Sequence, residues 1–226
     1  MTQAGAPRAI LFDLDGTLID TFRLYLESYR RALAPYVGRE VSDDEILERR
    51  PSAERRFLED WVGAERVAAC HDAMCGHYEA LHGALGEGAY DGVREMLAAL
   101  RSAGIQLGVV TGKGRRAWEV TEAELALGPW AVTITEDEAE HPKPHPGGLL
   151  AAAEALGMAP RDIVYVGDSA VDMEAGRAAG MRTAAALWAK TAPGEAGAFL
   201  RQVEPHTPDW AFHRPADLTR AFAAWC

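Results

Sequence analysis

Short apolar runs that end in a polar or glycine-containing turn recur along this chain and alternate with segments of helical period, and no other feature narrows the fold so far. The runs occupy residues 9–12, 106–110, 131–135, 163–166, 182–186 and, more weakly, 210–213. They lack the apolar/polar alternation of a strand with one wet face, so they read as strands buried on both sides. Helical spacing fills the intervals at residues 93–101, 115–126, 147–156, 170–179 and 216–224. Strand and helix taking turns in this way predicts an α/β fold, a doubly wound, Rossmann-like parallel sheet with crossover helices.

One stretch breaks the alternation. Between about residues 21 and 88 no strand pattern is visible, and amphipathic segments lie at 22–33, 43–49, 53–61 and 65–85. Ser42 with Glu45 three residues later is a capping-box pattern, and Ser52 is placed to cap the next helix. Gly83, Gly86 and Gly88 then mark a return to the sheet. The expected organisation is a core made of residues 1–20 and 89–226, carrying a helical insertion over residues 21–88.

Length and charge bound the function. A chain of 226 residues holds one core domain with a smaller insertion, and 48% apolar residues suffice for a buried core. The formal net charge of -11 would repel a polyanion, which argues against a nucleic-acid partner. No run of about 18 apolar residues suggests a membrane span. The cysteines Cys70, Cys75 and Cys226 are an odd set in a chain too long to need disulfide staples, as expected of a soluble protein in a reducing cytoplasm. Cys70, His71, Cys75 and His77 have the look of zinc ligands, but on one helix 71 and 75 share one face and 70 and 77 another, so a closed metal site is not expected and the cysteines read as core residues.

The chemistry is written at the ends of the strands. The first run leads into Asp13-Leu14-Asp15-Gly16-Thr17, two carboxylates at the carboxyl end of a buried strand, where open α/β sheets bind ligands. Two acids held this close raise each other's pKa unless a cation intervenes, and Mg²⁺ is the hard, oxygen-seeking ion that also bridges to phosphates. Thr111-Gly112 ends the second strand, offering a hydroxyl and an open backbone N–H to phosphate oxygens. Lys143 stands in His141-Pro142-Lys143-Pro144, and Asp168, with Asp172 one helical turn on, follows the run at 163–166.

These four motifs, in this order, resemble the haloacid dehalogenase superfamily, and the helical insertion between the first and second is similar to the cap of its phosphoglycolate phosphatase-like subfamily. The resemblance implies that Asp13 is the nucleophile and a metal ligand. Asp15 would protonate the leaving oxygen, then activate water, with its backbone carbonyl on the metal. Thr111 and Gly112 would hold the transferring phosphate and Lys143 would neutralise it. Asp168 would bind Mg²⁺, and Asp172 would bind the metal through water or orient Lys143. The implied activity is hydrolysis of a small phosphorylated metabolite, a phosphoglycolate-like monoester, through an aspartyl-phosphate.

The chain departs from the family at Gly112-Lys113, where relatives often have Asn after the hydroxyl. Phosphomutases similar to β-phosphoglucomutase typically carry His where this chain has Tyr25, which weighs against mutase chemistry. A pyrophosphatase of the same subfamily, and a phosphate-binding module without turnover, stay open beside the phosphatase. Arg49, Arg50, Arg55 and Arg56 are expected to be solvated helix residues, and His145 an exposed loop residue.

Overall fold

The computed structural model describes residues 7–49, 53–86 and 88–222, so Arg50, Ser52 and Cys226 lie outside the described residues. The chain opens with β1 (Ala9–Phe12) and a short β2 (Ile19–Asp20). Four helices follow: α1 (Phe22–Val37), α2 (Asp43–Glu48), α3 (Glu54–Val62) and α4 (Val67–Leu85). Then come β3 (Gly88–Ala89), α5 (Val93–Ser102), β4 (Gln106–Val110), α6 (Arg115–Leu125), β5 (Val132–Ile134) and α7 (Gly147–Ala155). The last elements are β6 (Ile163–Gly167), α8 (Ala170–Ala178), β7 (Arg182–Ala186), α9 (Glu195–Gln202), β8 (Trp210–Phe212) and α10 (Pro215–Phe222).

Six of the described strands form one parallel sheet in the order β5-β4-β1-β6-β7-β8. Counted by appearance within that sheet, the order is third, second, first, fourth, fifth, sixth, the doubly wound arrangement, and the winding direction reverses between β1 and β6. The strands are apolar throughout because both faces are covered. Along β1, Ile10 and Phe12 pack with Met96, Leu97 and Leu100 of α5 and Leu218 and Phe222 of α10, while Ala9 and Leu11 pack with Leu149 and Ala152 of α7 and Ala175 of α8. Successive side chains thus feed opposite layers, and burial on both sides erases the alternation a half-wet strand would show.

The helices α1–α4 pack around an apolar cluster of their own, with Leu24, Leu33, Ile46, Leu58, Met74 and Tyr78 at its centre. The capping box expected at Ser42 and Glu45 is formed: the Glu45 N–H donates to the serine oxygen at 3.3 Å and the Ser42 N–H to the glutamate at 3.0 Å. The segment leaves and rejoins the sheet through the antiparallel pair β2 and β3, with Ile19 opposite Ala89. These two-residue strands, like α9, have no periodic signature long enough to read in sequence. Helix α1 also runs past the expected end at residue 33, carrying Pro35 inside its last turns before Gly38 caps it. Among the described residues, no helix is long and apolar enough to cross a membrane.

Candidate active site

The winding reversal sets the site. Because β1 pairs with both β4 and β6, the residues that follow these three strands emerge side by side at their carboxyl ends. Asp13 comes directly after β1, its N–H donating to the Val166 carbonyl at 2.8 Å. Asp168 follows β6, and the carboxylates of Asp13, Asp168 and Asp172 each place an oxygen within 4.8 Å of the others. Their convergence, rather than separation on opposite edges, is the geometric condition for a shared cation.

Gly16 makes that approach possible. Its φ is +80°, and a Cβ built there would lie 2.8 Å from the Asp168 carboxyl atoms, so both backbone conformation and space call for glycine. The loop is tied down by the Gly16 N–H on the Ile19 carbonyl at 3.0 Å and by the Trp188 indole N–H on the Thr17 carbonyl at 2.8 Å.

Lys143 enters from the loop before α7 and stands between two acids, its ammonium 2.6 Å from Asp172 Oδ1 and 2.9 Å from Asp13 Oδ1. It also donates to the Tyr165 hydroxyl at 3.0 Å, and that hydroxyl lies 3.0 Å from Asp172 Oδ1 and 3.2 Å from the Val110 carbonyl. Asp172 is fully buried and surrounded by donors: Lys143 and Tyr165 on Oδ1, the Ser169 N–H at 3.0 Å and the Ser169 hydroxyl on Oδ2. Asp172 therefore caps α8 and clamps Lys143 at once.

The charge balance follows from these distances. Burial pushes the Asp13 carboxyl up to about 8; Lys143 opposes the shift, while Asp172 and Asp168 add to it. Burial likewise lifts Asp168 to about 6, with Asp172 adding to the shift and Lys190, 3.3 Å from Asp168 Oδ2, opposing it. Asp172 goes the other way: burial raises it, but Lys143 and its hydrogen bonds hold it below the usual carboxylate range. Lys143 stays charged well above the ordinary lysine value, since Asp13 and Asp172 overcome its burial. The ammonium is shared between Asp172 and Asp13, which leaves Asp13 and Asp168 as crowded, under-compensated oxygen donors. A divalent hard cation fits that donor set, and its charge would reverse both upward shifts.

The remaining expected residues are placed around the same opening. Thr111 follows β4; its side-chain oxygen accepts the Lys113 N–H at 3.2 Å, which leaves its own O–H to donate. A cavity of about 1050 Å³ is bordered by Asp13, Asp15, Thr111, Gly112, Lys143 and Asp168. The Asp15 carboxylate turns away from the three clustered acids, accepting from the Thr21 hydroxyl and lying 3.2 Å from Lys113.

Several residues at the site were not legible as such. Lys113, Lys190, Tyr165 and Glu54 were given no role from sequence; Lys113 and Lys190 come from the loops after β4 and β7, Tyr165 from within β6, and Glu54 from the start of α3. Of the cap arginines considered from sequence, Arg49 stacks on Trp61 at 4.0 Å, and Arg55 and Arg56 are exposed, whereas Arg23, not singled out, borders the cavity. His145 is exposed and accepts the Gly147 N–H. On α4, Cys70 donates to the Ala32 carbonyl, while His71 meets Glu54 at 3.0 Å and Cys75 at 3.7 Å. Burial works against charge on that imidazole, but Cys75 and Glu54 raise it to about 10.

Residues 10–186, which hold all four motifs, match the family model of haloacid dehalogenase-like hydrolases. The chain belongs to that family. Within it, this hydrolase is of the phosphatase type and similar to the phosphoglycolate phosphatase of Xylella fastidiosa, 38% identical over 194 residues, 80% of this chain and 81% of that one. It is also similar to pyrophosphatase PpaX of Bacillus velezensis, 33% identical over 93% of this chain and 94% of the relative. Among solved structures, CbbY of Rhodobacter sphaeroides in complex with phosphate superposes with a TM-score of 0.76 at 24% identity, covering 94% of this chain and 96% of that one, a likeness of fold.

Proposed function

We propose that this haloacid dehalogenase-like hydrolase is a Mg²⁺-dependent phosphatase acting on small phosphomonoesters of the phosphoglycolate type through an aspartyl-phosphate on Asp13. The observation that carries the reading is the meeting of Asp13, Asp168, Lys143 and Thr111, from separate strand ends, on one cavity at the winding reversal. Asp13 and Asp168, with the Asp15 backbone carbonyl, would hold the ion, whose charge offsets that of the nucleophile and the phosphate.

The protein groups divide the work. Asp13 attacks phosphorus as Asp15 gives its proton to the departing ester oxygen, so one P–O bond forms while another breaks. Asp15, now a carboxylate, takes a proton from water, whose oxygen displaces Asp13 and releases inorganic phosphate. The Thr111 hydroxyl and Gly112 N–H steady the equatorial oxygens, and Lys143 neutralises them from a position fixed by Asp172 and Tyr165. Helices α1–α4, residues 21–88, act as a cap over a core of residues 1–20 and 89–226: the cavity is walled by Tyr25, Leu47 and Glu54 from one and by Asp13 and Asp168 from the other, an arrangement suited to shielding the reacting atoms from bulk water when substrate fills it. Tyr25, which donates its hydroxyl to Glu54, stands where the mutases typically carry His, and that replacement supports hydrolysis over mutase chemistry.

The test is hydrolysis of p-nitrophenyl phosphate with Mg²⁺ and with EDTA, by the native protein and by Asp13→Asn. Activity is expected only for the native protein with Mg²⁺; equal rates in both proteins, or none in either across a broad phosphate panel, would refute the reading. Phosphoglycolate and inorganic pyrophosphate in that panel separate the monoesterase from a pyrophosphatase like the Bacillus relative.

A further inference from the structure

Lys113 follows the Thr111-Gly112 pair directly, and it has one of the most unusual environments in the molecule. Its side chain is completely buried, yet it belongs to a loop on the rim of the cavity. The ammonium donates to the Tyr78 hydroxyl at 2.7 Å and lies 4.4 Å from the ring centres of both Tyr25 and Tyr78. Its anionic neighbour is the Asp15 carboxylate at 3.2 Å. Tyr78 in turn shares a hydrogen bond of 2.8 Å with Thr121 Oγ1, and Tyr25 is held by Glu54.

Burying an ammonium is costly unless hydrogen bonds, ring faces and an anion compensate it, and this one has all three. The compensation comes from two sides. Tyr25 and Tyr78 belong to α1 and α4 of the insertion, whereas Lys113 and Asp15 belong to loops after β4 and β1. The cation is a rivet between the helical insertion and the loop bearing the proposed acid. The same Asp15 oxygen, Oδ1, also accepts from the Thr21 hydroxyl, which sits where the insertion begins.

We infer that Lys113 is a positioning residue that fixes the Asp15 carboxyl group, once it has taken up a proton from solvent, for transfer of that proton to the leaving oxygen, and that the seating of the helical insertion on the core, through Tyr78 and Tyr25, fixes Lys113. This rests on the reading of Asp15 as the general acid. Proton donation requires heavy-atom placement within hydrogen-bond reach, and an error near 1 Å from a change outside the reacting groups can cost about 100-fold. The Lys113 ammonium is fully buried and already engaged by Tyr78 and Asp15, so the proposed effect passes through Asp15.

A positioning role leaves a signature that a merely structural one does not. A p-nitrophenolate leaves as a stable anion and gains little from an acid, whereas phenolate, nearly identical in shape, is a poorer leaving group that needs the proton. The measurement is kcat/KM, which reports the phosphorylation half-reaction, for p-nitrophenyl phosphate and phenyl phosphate with the full-length Mg²⁺-loaded enzyme. In Lys113→Met, kcat/KM should fall about 100-fold for phenyl phosphate and about 10-fold or less for p-nitrophenyl phosphate. Tyr78→Phe removes one hydrogen bond to the ammonium and keeps the ring, so it should show the same selectivity with a loss of a few fold; it carries the test if the methionine variant does not fold.

Equal losses on both esters would assign Lys113 to stability alone and overturn the inference, as would unchanged kinetics. Native enzyme silenced by Asp13→Asn but showing no leaving-group selectivity in the variants sinks only the Lys113 role. A native protein that hydrolyses neither ester overturns the phosphatase reading, and the Lys113 role with it.

Discussion

Replacing Asp172 by Asn separates two roles that a carboxylate beside a cation site can play. The side chain is fully buried, and its strongest contact is the 2.6 Å ion pair with Lys143. Breaking a buried pair by neutralising one partner typically costs 3–5 kcal/mol, because the other charge is left in a poor dielectric. Two features reduce that figure here. Asn retains an oxygen for the Ser169 N–H, so part of the α8 cap survives, and the change removes an anion that pushes up both Asp13 and Asp168. A net loss of about 2 kcal/mol is expected, or roughly 4–8 °C in Tm for a chain of this size. Because the pair is internal to the protein, the loss should persist in EDTA. With Asp172 neutral, Lys143 turns wholly to Asp13 and quenches the proposed nucleophile, so kcat should drop about 100-fold. If Asp172 acts through Lys143, excess Mg²⁺ will not restore the rate, whereas Asp168→Asn should require far more Mg²⁺ for what activity it keeps. Thermal unfolding in EDTA and Mg²⁺ titrations of kcat measure both. A variant as stable as the native protein in EDTA, or one rescued by Mg²⁺, would refute the clamp.

The upward shifts of Asp168 and Asp13 fix the sign of a pH effect. With a folded pKa of about 6 against an ordinary 3.8, the folded state holds a proton on Asp168 that the unfolded state has lost, so this contribution to metal-free stability falls as pH rises from about 4 through about 6. Asp13, at about 8, extends the fall into the alkaline range. The Tm increment produced by Mg²⁺ should therefore be larger at pH 8 than at pH 5, where protons compete with the ion; an increment independent of pH would contradict the crowded-carboxylate account. Gly16→Ala is expected to displace Asp168, since the added methyl would sit 2.8 Å from its carboxyl atoms on a backbone with φ of +80°. Mg²⁺-dependent activity should drop at least tenfold and the Mg²⁺ requirement rise; unaltered Mg²⁺ dependence would show the loop adapts.

How much of this was legible beforehand follows a physical rule. The strands β1, β4 and β7 coincide with the apolar runs at residues 9–12, 106–110 and 182–186 because two-sided burial demands an unbroken apolar run, and such runs are local. The Ser42–Glu45 cap is equally local, as both partners lie within one turn. The motif residues Asp13, Asp15, Thr111, Gly112 and Asp168 stood out because they follow strands, and Lys143 and Asp172 because they complete the family's order of motifs. Helix α9 and the pair β2 and β3 were missed: the former owes its place to Phe199 packing with Met173, and the latter are two residues long and exist only because the chain must leave and rejoin the sheet side by side.

What the amino-acid order determined by itself was the periodicity, hence an α/β sheet with a helical insertion, and the identity of the groups at the strand ends. It did not decide which groups face one another. That Lys143 is shared by Asp172 and Asp13, that Asp15 turns to Lys113 rather than to the acid cluster, and that Tyr25 and Tyr78 wall a buried ammonium were settled only when β4, β1 and β6 were laid side by side with α1 and α4 against them. Electrostatic partnership depends on distances of a few ångströms between residues far apart in the chain, and those distances belong to the packing.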